Sequence, residues 1–267
     1  MRSLGRKSIQ ASLQPRDLMA EKRLKGVWTA QVVTLFPEAF PGTLGLSLTG
    51  RALKDGLWQL ETVPLREFGD GKHRNVDDTP AGGGAGMVLR PDVMASALDA
   101  AQSRLPGAPL LYLSPRGKPF TQARARALAE GPGMTLICGR FEGLDQRVID
   151  AYEIEEVSLG DFVLTGGEIA AQALIDASVR LIPRVLGNQE SVEEESFSHG
   201  LLEHPQYTKP AVWNGRAIPE ILLSGHHAKI TDWQRVQAER LTKERRPDLW
   251  RAYLRAQNRD PDEDQEL

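Results

Sequence analysis

The chain of 267 residues is long enough for one large domain or two modest ones, each able to bury a core. Its 40% apolar and 26% charged composition is that of a globular protein, and no apolar stretch approaches the roughly 18 residues of a membrane span, which excludes a membrane protein. A single cysteine, Cys138, rules out an internal disulfide and a Cys-only zinc site and points to a reducing, cytoplasmic compartment, while the net charge of −3 conceals +5 on residues 1–26 and −8 on the rest.

The basic arm 1–26 lacks the continuous apolar segment and small-residue cleavage site of a secretory signal. Three readings of it stand open: a disordered extension or mis-assigned start, an arm that binds nucleic acid, and an organellar transit peptide. The run 31–36 is β-branched and apolar and stops at Pro37, which predicts an opening buried strand; residues 57–63 predict a second. Residues 71–86 hold too many glycines and charges for either element and read as a long loop. Pro91 stands where a helix would start, with Val93, Met94, Ala97, Leu98, Ala101 and Leu105 at helical spacing after it. An alternation follows: apolar run 110–113, helix 121–130, apolar run 134–138, short helix 145–152, apolar run 154–159. A helix over 167–182 closes it, with Ala170, Ala173, Leu174, Ala177 and Leu181 on one face and Pro183 as its stop. Strands alternating with helices predict an α/β fold with a parallel sheet and crossovers. Residues 187–200 read as a polar linker, helical patterns recur around 221–223, 229–241 and 248–257, and an acidic, solvated tail ends the chain.

If the sheet is parallel, the turns after three consecutive strands emerge at one edge: Ser114-Pro115-Arg116-Gly117, then 139–143, then 160–167. That edge is where open α/β sheets bind ligands. One glycine turn after a strand is often only a turn, but three together predict a ligand cleft. The dinucleotide and P-loop glycine signatures are missing, as is the serine-hydrolase elbow. The glycine-dense 82–86 run follows a loop rather than a strand, and fits a flexible lid or a close backbone approach. The five histidines fall into no metal-binding spacing, and no metal ligand is predicted.

Several ordered motifs carry a resemblance. They are Leu35-Phe36-Pro37-Glu38, Val76-Asp77-Asp78 with the run from Gly82 to Met87, Tyr112-Leu113-Ser114-Pro115, Cys138-Gly139-Arg140-Phe141-Glu142-Gly143, and the stretch from Leu159 to Glu168. Ser196-Phe197, Tyr207-Thr208-Lys209-Pro210 and Ser224-Gly225-His226-His227 extend them. From about Val27 to about Leu249 the chain resembles the bacterial tRNA (guanine-N1)-methyltransferases of the SPOUT superfamily, which methylate guanine 37 beside the anticodon. The resemblance implies a knotted α/β domain over 27–186 with a trefoil knot at its C-terminal end, although threaded chains are rare. It further implies a linker over 187–203, a smaller helical tRNA-binding domain over 204–257, a tail over 258–267, and an obligate homodimer with active sites between subunits. S-adenosyl-L-methionine would be the methyl donor, with Mg2+ as an assisting ion. Its pocket maps to Tyr112, Leu113, Ser114 and Pro115, to Gly139, Arg140, Phe141 and Glu142, and to Leu159, Gly160, Asp161, Phe162, Val163, Leu164, Thr165, Gly166 and Gly167. These are the three strand-end segments found above.

Guanine N1 carries a proton at neutral pH, so methylation there wants a base for the proton and a cation for the charge that spreads onto O6. The family's catalytic aspartate and arginine map to Glu195 and Arg180. Glu195 is one methylene longer than the family's aspartate; Glu194 is the alternative base, and Ser196-Phe197, which follow as in the family, favour Glu195. Arg180 sits near a helix C-terminus, where the dipole favours a cation, with a snorkelling surface side chain as the lesser alternative. Glu142 would read the guanine edge, with Asp77 and Gly86 contacting the flipped base. Phe141, Ala85, Thr79 and Ala81 depart from the residues usual in the family. Lys229, Arg235, Lys243, Arg245 and Arg246 are candidates for RNA-backbone contacts. Two other readings stay open: a SPOUT enzyme methylating a ribose 2′-hydroxyl or a uridine in other RNA, and a catalytically weakened RNA-binding module.

Overall fold

The computed structural model describes residues 26–187 and 195–260. The readings of the basic arm, of Glu194, and of the acidic tail from residue 261 lie outside the described residues. Five parallel strands form the central sheet: β1 (Trp28–Thr34), β2 (Trp58–Pro64), β5 (Leu110–Pro119), β6 (Gly133–Cys138) and β7 (Glu155–Ser158). Their order is β2-β1-β6-β5-β7, and the register runs Ala30↔Leu60, Ala30↔Met134 and Leu111↔Leu136 through the middle of the sheet. β1 and β6 are buried along their whole length, as expected of central strands covered on both faces.

Helices supply those covers. On one face pack α2 (Pro91–Arg104) and α4 (Gln146–Ala151); on the other α1 (Ser47–Lys54), α3 (Gln122–Ala129) and α5 (Glu168–Val179). α2 follows its sequence pattern: Pro91 occupies its first turn and Val93, Met94, Ala97, Leu98 and Ala101 are all buried. α3 is capped by the Thr121 hydroxyl, which accepts from the Arg124 amide, and α4 by the Asp145 carboxylate, which accepts from Arg147. α5 differs from expectation. Its buried face is Ala170, Ala171, Leu174, Ile175, Ser178 and Val179, while Ala173 and Ala177 are only half-buried. The helix is apolar on several sides, so the period alone does not fix which side meets the sheet.

Several elements escaped the sequence pattern, α1 among them. The 71–86 loop carries the short strand β3 (Asp77–Asp78), which pairs antiparallel with β4 (Val88–Leu89). Beyond residue 195 the hairpin β8 (Val212–Trp213) and β9 (Arg216–Ala217) precedes α6 (Glu220–Leu223), α7 (His227–Arg245) and α8 (Pro247–Ala256). Among the described residues no helix is long and apolar enough to cross a membrane.

Candidate active site

The site is built where β5, β6 and β7 end. Leu113 and Lys118 both oppose Val157, so residues 114–117 bulge out of the β5 ladder rather than forming a turn after it, as the sequence suggested. Gly117 allows this, since a Cβ there would lie 2.3 Å from the Val157 amide nitrogen. After β6 the chain turns through Phe141 at φ +59°, a conformation a bulky residue adopts only where its surroundings impose it. After β7 the Ser158 hydroxyl accepts from the Gly160 amide at 3.2 Å and closes the next turn. The loop then returns to the sheet, where the Gly167 amide donates to the Gly139 carbonyl at 3.1 Å.

These segments enclose a cleft of about 290 Å³. Of the positions expected to hold the methyl donor, all but Asp161 line it; Arg116, Gly143, Leu144, Val157, Ser158 and Ala170 join them. Tyr112 forms part of its wall. Burial pushes the Tyr112 phenol up, and the Leu144 amide partly offsets that. Glycines let backbone approach this ring: a Cβ on Gly139 or Gly143 would come within 2.8 or 2.6 Å of it. Glu142 lies on the rim, exposed, with Gly86 against it and its amide donating to the Met87 carbonyl at 2.9 Å. Asp77 lies in β3 opposite Leu89 and does not line the cleft.

A buried group that the sequence reading overlooked underlies the cleft. Glu168, 4% exposed, accepts from the Thr34 hydroxyl and from Arg140, each at 2.7 Å. Arg140 also donates to the Thr165 carbonyl at 3.2 Å and lies 4.4 Å over the Phe36 ring. Its Nε is buried without a hydrogen-bond partner. Thr34 and Glu168 are 134 positions apart, so the only signal available was an acid opening a helix after a glycine pair.

The predicted catalytic residues meet each other but not the cleft. Arg180, at the C-cap of α5, binds both carboxylate oxygens of Glu195 at 2.5 Å. The Arg180 hydrogen bonds hold the Glu195 carboxyl below the usual carboxylate range, with Arg126 of α3 adding a weaker pull; Arg126 was not foreseen. The cleft lies at the other end of α5, by Gly167 and Ala170. At ~1.5 Å per residue that separation is roughly 20 Å. Of the basic residues proposed for RNA, Arg235 is paired with Asp232 and Glu239, and Arg246 with Asp248. Among the described residues no three His, Cys, Asp or Glu side chains gather where a metal ion could sit.

A cleft at the carboxyl edge of a parallel sheet places the chain among α/β proteins that bind a ligand beyond their strand ends. Comparison with known proteins takes the class further. The chain belongs to the tRNA (Guanine-1)-methyltransferase TrmD family, whose model matches residues 28–252. It is 73% identical over 248 residues to the tRNA (guanine-N(1)-)-methyltransferase of Cereibacter sphaeroides, covering 91% of this chain and all of that one. The enzyme of that name from Ruegeria pomeroyi is 68% identical over 86% of this chain and 95% of its own, and that of Brucella ovis 59% identical over 86% and 94%. The chain is thus an enzyme of the tRNA (guanine-N1)-methyltransferase class.

Proposed function

We propose that this enzyme transfers a methyl group from S-adenosyl-L-methionine to N1 of guanine 37 in tRNA, as a SPOUT-type homodimer working in the cytoplasm. The observation that carries the reading is the convergence of residues 112–116, 139–144 and 157–167 on one cleft. The cleft fits the donor: glycines bring main chain to its wall, and the wall contains an orphaned buried N–H donor, the Arg140 Nε. When bound, S-adenosyl-L-methionine supplies an electrophilic methyl carbon on a sulfonium.

The chain's own residues supply the rest. Glu195 takes the N1 proton, which leaves an electron pair on N1 as the nucleophile for the methyl carbon that the bound donor would supply. The Arg180 guanidinium stabilises the charge that spreads onto guanine O6. Arg180 takes one acceptor site on each Glu195 oxygen, which leaves a second lone pair on each for the guanine N1–H. Glu142, with Gly86 against it, accepts from the guanine N1–N2 edge, which adenine does not offer in the same pattern. Asp77 contacts the flipped base, and α6–α8, with the exposed Lys229 and Arg245, form the tRNA-binding unit beyond a linker. The trefoil knot accounts for the close packing of the 159–167 loop on Gly139. The distance between the cleft and the Arg180–Glu195 pair favours a site completed by a second subunit.

The test is transfer of labelled methyl to a tRNA transcript with guanines at positions 36 and 37, against one lacking guanine 37. Transfer that requires guanine 37 and falls on the order of 100-fold or more in Glu195→Ala is expected. Glu195→Asp, which withdraws the carboxylate by one methylene, should be slower than wild type. Donor binding with transfer to neither transcript would overturn the substrate assignment; transfer undiminished in Glu195→Ala would overturn the base.

A further inference from the structure

Glu168 is the only charged side chain among the described residues that is almost wholly buried. A carboxylate taken out of water is costly unless paired and hydrogen-bonded. Glu168 has both kinds of partner, Thr34 on one oxygen and Arg140 on the other, and stands in the first turn of α5, where the helix dipole also favours an anion. Its charge reaches Cys138 behind it, whose thiol is pushed up by burial and then by Glu168.

Arg140 is fixed from several sides. Besides Glu168 it engages the Thr165 carbonyl and the Phe36 ring, and a Cβ on Gly166 would lie 2.3 Å from its Nε. Position 166 therefore admits glycine because the guanidinium passes against it. The result is a permanent cation in the wall of the cleft. That is an unfavourable neighbour for a methyl donor that is itself a sulfonium, because like charges in a partly desolvated site repel strongly.

We propose that Glu168 is a positioning residue for methyl transfer: it locks Arg140 into the cleft wall and neutralises it, so that the cleft accepts a cationic donor and binds the neutral thioether product no better. The proposal rests on the assignment of this cleft to S-adenosyl-L-methionine. The two ligands differ by one methyl group and one positive charge, so their affinity ratio reads the electrostatics of the wall.

The experiment is calorimetric titration of the full-length enzyme with S-adenosyl-L-methionine and with S-adenosyl-L-homocysteine. In Glu168→Gln, which keeps the shape and the acceptor oxygen, the donor Kd should rise about ten- to hundredfold, the loss expected of one charge-assisted interaction, while the product Kd moves less than about threefold. In Arg140→Gln/Glu168→Gln, with both charges gone, the ratio of the two constants should return to that of wild type. Arg140→Gln alone, at a more exposed position, keeps the test open should Glu168→Gln not fold; with the cation gone and the buried Glu168 free to take up a proton, its ratio should stay at that of wild type or move toward the donor. Equal weakening of both ligands in Glu168→Gln would reduce Glu168 to a structural role and overturn the proposal, as would a product-favouring ratio in Arg140→Gln. Failure of the wild type to bind either ligand would overturn the donor assignment itself.

Discussion

Glu195 and Arg180 are matched in length: the glutamate reaches far enough for both of its oxygens to meet the guanidinium. The pair also sets a pH dependence. Hydrogen bonding to Arg180 lowers the folded-state pKa of Glu195, so its contribution to stability is present above the ordinary carboxylate range and disappears as pH falls through the lowered value. Glu195→Gln should therefore lower the melting temperature slightly at pH 7, by the ~1 kcal/mol or less of a partly exposed pair, and the deficit should begin to shrink below about pH 4. Thermal unfolding of both proteins from pH 7 to pH 3 checks this; a deficit that grows on acidification would contradict the pairing. For the same reason Glu195 stays ionised from pH 5 to 9, and an acid limb of kcat/KM in that range would belong to another group.

The loops of the cleft are elements in their own right, held by close backbone approaches. Gly143 has φ +107°, and a Cβ there would stand 2.6 Å from the Tyr112 hydroxyl. Gly143→Ala should weaken donor binding at least ~10-fold, and adding Tyr112→Phe should recover part of the loss by removing the clash but not the backbone strain; calorimetry on both variants decides. Elements of this size mark how far the sequence could be read. α2 was legible because its apolar residues repeat on one side and Pro91 fixes its start. The strand ends were legible as the lining of a cleft because three glycine-bearing segments recur after apolar runs. α1 was not, because Gly50 interrupts it; that glycine is required, since a Cβ would come 2.1 Å from the Gly45 backbone. The β8–β9 hairpin carried a usable signal in Asn214-Gly215, both at positive φ, yet its strands are only two residues long. Glu168 was illegible as a site residue because its partners come from β1 and from the loop after β6, and local pattern says nothing about contacts of that range.

One chain presents the cleft and the Arg180–Glu195 pair at opposite ends of α5, while the proposed reaction needs its atoms within about 3–3.5 Å. Around the cleft Phe141, Phe162, Val163 and Ile169 are 53, 53, 84 and 65% exposed, a grouping of apolar side chains that a lone soluble subunit seldom leaves in water. In a twofold dimer whatever one subunit lends its partner is lent back, so two complete sites can arise, each with a cleft from one chain and the Arg180–Glu195 pair from the other. This arrangement makes a quantitative prediction for mixed dimers. Glu195→Ala spoils the pair and spares the cleft; Gly143→Ala spoils the cleft and spares the pair. After unfolding and refolding an equimolar mixture, half of the dimers should be mixed, and each mixed dimer should hold one site with both intact halves and one with neither. Methyl transfer should recover to about one quarter of the wild-type rate, measured above the residual activity of the parents. Were cleft and pair to cooperate within one chain, every mixed dimer would carry two damaged sites, and mixing would restore nothing.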